Sequence, residues 1–381
     1  VLVAAGGVRR GGPRDPRLAL FLGSVFLAGV VALPREPWVA ALGLRVFAPM
    51  ALVLLASSAL RKQEHFTRLV AFARGLAARI VVLTVLQRFL GVAFRTWCTQ
   101  LSPDWCRAFS VYTHANILAA FLVVSFVLLL TYQGLSPAVR IVGTLSLFGA
   151  VFLTRSGIGF PSLLACGALW AATRWERSRA RWGLLLFLPA LGSLPALAWL
   201  TGRSNIWISV SDRVTILWRL VMEGSLTELF FGRGLGYGAN TSASLSKITG
   251  MQAQDVFVAD SLYISLLAQI GLLGLAAFVA LNLRLLTLAW RLRGDAVADT
   301  MLVLIPVLGL LSTTTVVLEV VPINWLYWIG CGALLCRPAD LQEQQQAIPP
   351  PTSDKTDGPG PGDENHVHAL LGSPLQSQTH P

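Results

Sequence analysis

Long apolar runs, separated by short polar or basic segments, dominate the chain. Several runs approach the roughly 20 residues that a helix needs to cross about 30 Å of hydrocarbon. They do not alternate in polarity, as the strands of an outer-membrane barrel would over segments of roughly 10 residues. The pattern therefore predicts α-helices, which close their backbone hydrogen bonds internally. We assign about ten hydrophobic segments: 18–34, 38–60, 68–94, 113–132, 138–153, 158–173, 183–201, 260–283, 299–318 and 322–336.

Composition indicates that lipid is the solvent for much of the chain. Of the 381 residues, 54% are hydrophobic and 13% are charged. A soluble domain carries about 25% charged residues, so this chain has too little polar surface to cover a globule in water. The predicted fold class is all-α, a polytopic transmembrane bundle of about ten helices.

The net charge of +11 is explained largely by membrane topology. If the N-terminus lies inside the cell, the short inside loops hold most of the lysines and arginines, as the positive-inside rule requires. The same placement puts the C-terminus inside. Since topology accounts for much of the charge, the excess of lysine and arginine does not indicate a nucleic-acid partner.

Apolar and polar stretches divide the chain into five parts. Residues 1–17 form a cytoplasmic segment, 18–201 hold seven transmembrane helices, and 260–336 hold three more. Residues 202–259 form a large outer loop, and connections of that length are usually functional. Residues 337–381 are poor in apolar side chains and predict a disordered cytoplasmic tail. No persuasive cleavage site follows the first apolar run, and the missing initial Met favours an incomplete start.

The outer loop contains an amphipathic pattern. Ser211 or Asp212 can cap a helix with apolar residues at spacings of three and four. Such a helix is expected to lie on the outer membrane surface, with tryptophans at the interface. The apolar positions and interfacial tryptophans are Val214, Leu217, Val221, Trp207 and Trp218.

Arginines on the predicted outer side point to an anionic ligand. Arg155 lies between two apolar runs, where it either anchors the chain at the interface or binds an anion. The large loop adds Arg203, Arg213, Arg219 and Arg233. These go against the positive-inside trend, and the planar guanidinium suits bidentate binding of phosphate. Arg213 is the strongest candidate because the amphipathic helix would hold it at the membrane surface, whereas Arg219 is equally well explained as solvated.

Three other motifs carry candidate site residues. The stretch containing Gly234 and Gly236 predicts a tight turn through which backbone approaches a ligand or a helix. A dinucleotide site is rejected there because no strand precedes it. Asp260 heads the segment 260–283, as a helix N-cap or as a base at the mouth of the bundle. His114 and Asn116 either line the site or cap a helix.

The cysteines and the search for metal motifs establish neither a disulfide nor a metal site. Cys98 and Cys106 share the outer loop 95–112, where oxidation is permitted, so a disulfide and two unrelated thiols both stay open. The sequence has no CxxC pair, HExxH motif or carboxylate cluster. We therefore predict neither a metal site nor a cofactor.

Taken in order, these residues resemble the O-antigen ligase and polymerase family of membrane glycosyltransferases. The resemblance covers about residues 110 to 285. Where family ligases typically have His-Asn-x-Tyr, this chain has Asp260-Ser-Leu-Tyr263, which favours a polymerase or an uncharacterised transferase. The matching motifs are His114-Ala-Asn116-Ile-Leu, similar to His-Pro-Asn-x-Leu; Thr154-Arg-Ser-Gly157, similar to Ser-Arg-Gly; Arg213 with Trp218; Gly232-x-Gly234-x-Gly236; and Asp260-Ser-Leu-Tyr263 with Gly271-Leu-Leu-Gly274.

The resemblance implies a GT-C-like bundle in the bacterial cytoplasmic membrane, with its active site on the outer, periplasmic face. It would transfer or polymerise a glycan from an undecaprenyl-diphosphate donor onto a glycan or lipid-linked acceptor, for cell-surface polysaccharide. In that mechanism Arg155, Arg213 and Arg203 bind the donor pyrophosphate without a metal, and Asp260 takes the acceptor proton. The substrate-binding residues implied are His114, Asn116, Tyr263, Trp218, Gly234 and Gly236.

Two other functions compete with the transferase. A transporter or flippase of lipid-linked glycan would place ionisable residues near the midplane and often show two related halves. Here the candidates cluster at the outer edge, and no internal repeat is visible. A non-catalytic scaffold would not need an arginine-rich outer loop.

Overall fold

A computed structural model of the chain describes residues 15–34, 37–51, 63–90, 115–132, 134–174, 206–239 and 259–347. Within these ranges the regular elements are helical and no strand occurs, which confirms the all-α class. The helices are α1 (Pro16–Ala32), α2 (Pro37–Phe47), α3 (Gln63–Leu90), α4 (Ala115–Thr131), α5 (Pro137–Thr154), α6 (Gly159–Arg174), α7 (Ile206–Met222), α8 (Leu226–Phe231), α9 (Leu262–Arg291), α10 (Ala296–Ser312) and α11 (Ile323–Ala347). Residues 340–381 form a separate unit, of which only the helical residues 340–347 are described.

Most of the predicted apolar segments overlap a helix, but some of the boundaries differ. The segment 183–201 lies outside the described residues. After α2 the chain forms a short 3₁₀ turn at Ala48–Met50, because Pro49 lacks the amide that would continue an α-helix. The helix α11 extends to Ala347, so residues 337–347 of the predicted tail are helical. Alanine, leucine and glutamine are good helix formers, so the helix continues beyond the end of the apolar segment.

Three described helices are long and apolar enough to cross a membrane. They are Thr67–Gln87, Pro137–Thr154 and Leu262–Arg291, with mean hydropathies of 2.0, 1.6 and 2.3. Only 28% of the first apolar window and 22% of the second are buried inside the protein. Apolar helices that the protein leaves uncovered need lipid around them, since water would solvate them poorly. The structure is thus compatible with a membrane protein.

The outer surface of the bundle carries many large apolar side chains. Phe72 in α3 is 69% exposed and Ile141 in α5 is 60% exposed. Phe26 in α1 and Leu283 in α9 are also exposed. Soluble monomers rarely expose large contiguous apolar patches, so several helices with such faces fit a lipid environment.

Two groups of helices meet at α10. In the first group α4 packs against α3, α5 and α6, and all of its residues except Asn116 and Ile117 are buried. In the second group α9 packs against α1 and α8. Helix α10 contacts α4, α6 and α9, and so joins the groups into one bundle.

Helix α11 contributes aromatic and polar contacts to the second group. Trp328 stacks on Phe21 of α1 with ring centroids 6.0 Å apart. The Tyr327 hydroxyl donates to Asn282 Oδ1 of α9 at 2.8 Å. The Asn324 amide donates to a backbone carbonyl of α2 at 2.9 Å and to one in the 3₁₀ turn Val317–Glu319 at 2.6 Å. These contacts tie α1, α2 and α9 to one end of α11.

Helix α9 is broken at Gly271, where φ is 67° and ψ is −174°. A helix interrupted in this way leaves carbonyl groups just before the break without their usual amide donors. Two such carbonyls are satisfied by the segment after α8. The Arg233 amide donates to the Ala268 carbonyl at 2.8 Å, and the Gly234 amide donates to the Gln269 carbonyl at 3.2 Å. The break and the segment therefore complete each other's hydrogen bonding.

We predict that Gly271→Ala destabilises the protein by more than about 1 kcal/mol, because alanine disfavours a positive φ. Its Cβ would also collide with the Phe230 carbonyl and the Gly232 amide. The measurement is thermal unfolding of the purified protein in detergent. The matched control is Gly149→Ala in α5, where the added methyl meets nothing within 4 Å. Equal melting temperatures for the two variants would contradict this account of the break.

Candidate functional site

Two of the resembling motifs meet at one end of α4. Ser156, in the turn after α5, donates its hydroxyl to Asn116 Oδ1 at 3.0 Å. The Ser156 Oγ also accepts from the Gly159 amide at 3.3 Å, at the start of α6. The Ser156 amide donates to Thr154 Oγ1 at 3.1 Å. This network joins α4, α5 and α6 and fixes the backbone on both sides of Arg155.

Arg155 occupies an unusual backbone position within this network. It is the C-cap of α5 in the left-handed conformation, with φ 48° and ψ 34°. A non-glycine residue there costs roughly 1–2 kcal/mol, so the surrounding structure must impose it. The Arg155 side chain is exposed. The turn thus presents a guanidinium from a backbone that its neighbours hold in place.

The glycine-dense segment is packed against helices. Gly234 and Gly236 are buried with φ of 117° and 90°. A side chain at Gly234 would strike Ala32 of α1, and one at Gly236 would strike Val39 of α2. The sequence predicted that this turn approaches either a ligand or a helix, and the structure shows that it approaches helices. Substrate contact at these glycines stays a prediction.

A polar network beneath this segment was not predicted from the sequence. The Gly236 amide donates to Gln269 Oε1 at 2.9 Å, and Gln269 Nε2 donates to Ser265 Oγ at 2.8 Å. The Ser265 hydroxyl lies 3.5 Å from Glu319 Oε1. Ser265, Gln269 and Glu319 line a small cavity of about 10 Å³, room for one water molecule.

A signal for this network was present in the sequence. Ser265 and Gln269 are four residues apart in the mainly apolar first half of α9, and so share one face of the helix. Glu319 is an acidic residue in a short outer connection between apolar segments. Polar groups in such places are expensive in lipid and commonly form contacts with each other. Their meeting could not be read from spacing, because Ser265 and Glu319 are 54 positions apart.

Arg213 lies in α7, which begins earlier than predicted. The helix starts at Ile206, so Ser211 and Asp212 lie inside it and neither caps it. The apolar residues before position 211 continue the helical pattern toward the N-terminus, which explains the difference. The Trp207 side chain lies outside the described part. Trp218 is 61% exposed, as an interfacial side chain would be.

One face of α7 packs on α9 and on Ala259, three residues before α9 begins. Leu220 forms a buried cluster with Ala259, Ile264 and Ala268, and Ile216 packs against that cluster. Arg213 is one turn before Ile216 on the same face. Its Nε is buried and has no hydrogen-bond partner. No ion pair to Arg213 occurs within the described ranges.

Arg233 contrasts with Arg213. Its Nε lies 3.6 Å from Glu228 Oε2 in a partly buried ion pair. Glu228 also completes a capping box with Ser225 at the start of α8. Arg233 therefore already has a structural partner, which separates it from Arg213 among the outer arginines.

Asp260 is exposed and does not cap α9. The N-cap is Ser261, whose own side chain makes no capping bond and instead donates to the Ser312 carbonyl at 3.1 Å. This corrects the N-cap alternative for Asp260, because the helix begins at Leu262. Asp260 follows Ala259, so it lies next to the cluster that holds α7. No ion pair joins Asp260 and Arg213 within the described residues.

Tyr263 borders an apolar cleft between α9, α10 and α11. Its hydroxyl donates to the Gly309 carbonyl at 2.9 Å. The cleft has a volume of about 180 Å³. Most of the lining side chains are aliphatic, and the polar ones are Tyr263, Asn282, Ser312 and Tyr327. Such a surface suits an alkyl or isoprenoid chain better than a sugar.

The predicted site residues fall into two groups. Asn116 and Arg155 share the network at the end of α4, and the helix carrying Arg213 contacts the residue before Asp260. His114 and Arg203 lie outside the described residues, as do Cys98 and Cys106. Among the described side chains, no three His, Cys, Asp or Glu residues group as metal ligands.

No protein-family model matches this chain, and no curated protein matches it either. The resemblance to O-antigen ligases and polymerases thus rests on the ordered motifs and stays a prediction.

We predict that Gln269→Leu destabilises the protein by about 1–3 kcal/mol, because it leaves the buried Gly236 amide without an acceptor. Hydrogen exchange measured by mass spectrometry should accelerate in peptides covering residues 232–238. The matched control is Thr287→Ala, at an exposed position of the same helix. If exchange in 232–238 is unchanged in Gln269→Leu, the side chain does not hold this segment.

Proposed function

We propose that this protein is a membrane glycosyltransferase of the O-antigen ligase or polymerase type. It would act on a glycan carried by undecaprenyl diphosphate, at the outer face of the bacterial cytoplasmic membrane. The observation that carries the proposal is Arg213, a partly buried cation with no acceptor on its Nε. It lies on a surface helix packed beside the start of α9, where Asp260 is exposed.

The environment of Arg213 favours an anionic ligand. Removing a guanidinium N–H from water without a protein acceptor is unfavourable. A bound oxyanion would restore the hydrogen bond and balance the charge, and pyrophosphate accepts from arginine in bidentate geometry. Arg155, at the end of α5, and Arg203 are the further cations that the family resemblance assigns to the pyrophosphate.

The reaction that we propose is a single displacement. The acceptor hydroxyl attacks the anomeric carbon of the donor sugar, and the bond from that carbon to the diphosphate oxygen breaks. Asp260 accepts the hydroxyl proton, and undecaprenyl diphosphate leaves with the bonding electrons. Arginines stabilise the charge that develops on the leaving diphosphate, which is the usual role of fixed cations at a leaving group.

The environment around the proposed site also accommodates the lipid part of the donor. The apolar cleft beside Tyr263 would take part of the isoprenoid chain. The exposed apolar face of α7 would lie in the membrane interface. Its members are Val214, Leu217, Trp218 and Val221. We place this helix outside, within a bundle of about ten spans whose termini are inside.

We expect Arg213→Ala and Asp260→Ala each to lower transfer by about 10²-fold or more, since they remove leaving-group stabilisation and the base. The assay uses purified protein in proteoliposomes, an undecaprenyl-diphosphate oligosaccharide and a glycan acceptor, without divalent metal. Product is separated by size and identified by mass.

The matched controls are Arg219→Ala and Glu223→Gln, exposed positions in and just after α7 with the same charges. Both should keep near wild-type transfer while all variants elute as folded protein. Equal losses in Arg219→Ala and Arg213→Ala would reject the assigned role of Arg213. If labelled donor crosses the bilayer unchanged and no product forms, a transporter replaces the transferase.

Orientation has its own prediction. In a cysteine-free background, Glu223→Cys should react with a membrane-impermeant maleimide in intact spheroplasts, because the loop 202–259 is placed outside. Arg291→Cys, at the end of α9, should react only after permeabilisation. The reverse labelling pattern would place the proposed active site in the cytoplasm.

A further inference from the structure

Two arginines from different helices contact the same residue at the other end of α4. Arg74 lies in α3 and Arg140 in the first turn of α5. Both contact Tyr132, the residue that follows α4. Helix α4 is 17 residues long, so about 25 Å separates this place from Asn116 at the start of the same helix. It is therefore distinct from the proposed active site.

Tyr132 holds the two guanidinium groups in different ways. The Arg74 Cζ lies over the aromatic ring, 4.6 Å from its centroid. Arg140 Nη2 donates to the Tyr132 backbone carbonyl at 3.2 Å. Cation–π contact and a backbone hydrogen bond position a guanidinium without neutralising it. Neither contact supplies a negative charge to balance these side chains.

Several N–H groups of these arginines are buried and unsatisfied. Arg74 Nε and Nη1 and Arg140 Nε have no hydrogen-bond partner. No Asp or Glu pairs with either side chain in the described part of the chain. Two cations held on one residue with desolvated donors are unfavourable, because they lack both acceptors and a balancing charge. One oxyanion that contacts both arginines would supply the acceptors and the charge.

The flanking surface indicates where that oxyanion comes from. The arginines lie on α3 and α5, whose apolar windows are only 28% and 22% buried inside the protein, so both helices have surface for lipid. A basic cluster on two such helices matches a phospholipid, with its phosphate on the arginines and its acyl chains along the helices.

We propose that Arg74 and Arg140 form a phosphate site that binds the headgroup of an anionic phospholipid. Tyr132 acts as its platform, by ring contact with one arginine and by its carbonyl to the other. The bound phosphate would join α3 to α5 across the end of α4. This site does not depend on glycan transfer, so its test is independent of the proposed function.

The experiment measures ligand binding to the purified full-length protein in detergent. The probes are short-chain phosphatidylglycerol, short-chain phosphatidylcholine and inorganic phosphate. Adducts are counted by native mass spectrometry, and thermal unfolding gives a second readout. The variants are Arg74→Gln, Arg140→Gln and the conservative Arg74→Lys. Arg79→Gln is the matched control, because Arg79 is an exposed arginine of the same helix.

We expect phosphatidylglycerol to bind and to raise the melting temperature, with phosphatidylcholine much weaker. Arg74→Gln and Arg140→Gln should each weaken binding at least about tenfold, as loss of a charge-assisted hydrogen bond does. Arg79→Gln should bind as wild type. Arg74→Lys keeps the charge and should retain partial binding, which covers the case in which Arg74→Gln folds poorly.

The lipid and inorganic-phosphate probes also distinguish a phospholipid ligand from free phosphate. If inorganic phosphate fails to compete, the ligand is the lipid; if it binds as tightly and displaces the lipid, the site takes free phosphate. The proposal is overturned if Arg79→Gln loses as much binding as Arg74→Gln. It is also overturned if neither Gln variant changes binding or if phosphatidylcholine binds equally well.

Discussion

The junction between the glycine-dense segment and the break in α9 is the constraint on which the second group of helices depends. At Gly271 the helix leaves carbonyl groups open, and amides of residues 233 and 234 close them. In lipid no water can take that role, so the break requires the segment. The segment in turn requires its glycines, because Gly234 and Gly236 touch α1 and α2 where a Cβ would not fit. One backbone junction thus sets the relation of α1, α2, α8 and α9.

The arginines also differ in whether a carboxylate pairs with them. Arg233, Arg284 and Arg337 each pair with a carboxylate. Arg213, at the proposed active site, and Arg74 and Arg140, at the proposed phosphate site, have buried donor atoms without a hydrogen-bond partner. A paired arginine already has its acceptor, whereas a bound anion could supply one to these three. That contrast, more than the net charge, is the basis of both proposed anion sites.

The helical class and the positions of several helices could be predicted, because long apolar runs without alternation form helices. Runs such as 138–153 lie within a turn of the observed helix Pro137–Thr154. Helix caps were less predictable, since Ser211 and Asp212 have capping side chains but lie inside α7. Capping depends on where the backbone turns, and continued apolar periodicity moved that point to Ile206.

The candidate site was predictable in its parts but not in its assembly. The motif around Arg155 was visible, yet its hydrogen bond to Asn116 spans 40 positions and depends on how α4 and α5 pack. The break at Gly271 was not foreseen, because a lone glycine in a long apolar pattern is usually tolerated within a helix. The spacing of Ser265 and Gln269 was visible in the sequence, but the bond from the Gly236 amide to Gln269 spans 33 positions and depends on how the segment packs against α9.

The attachment of α7 has a mechanical consequence. The protein holds this helix along one narrow face, through Ile216 and Leu220, while Trp218 and its neighbours are exposed on the other side. Under the proposed placement, the interface of the bilayer sets the height of the helix as much as the protein does. A thicker or thinner membrane would then shift Arg213 relative to Asp260, by the hydrophobic mismatch that moves amphipathic and spanning segments. The acyl-chain length of the host membrane would thereby become a regulator of catalytic geometry.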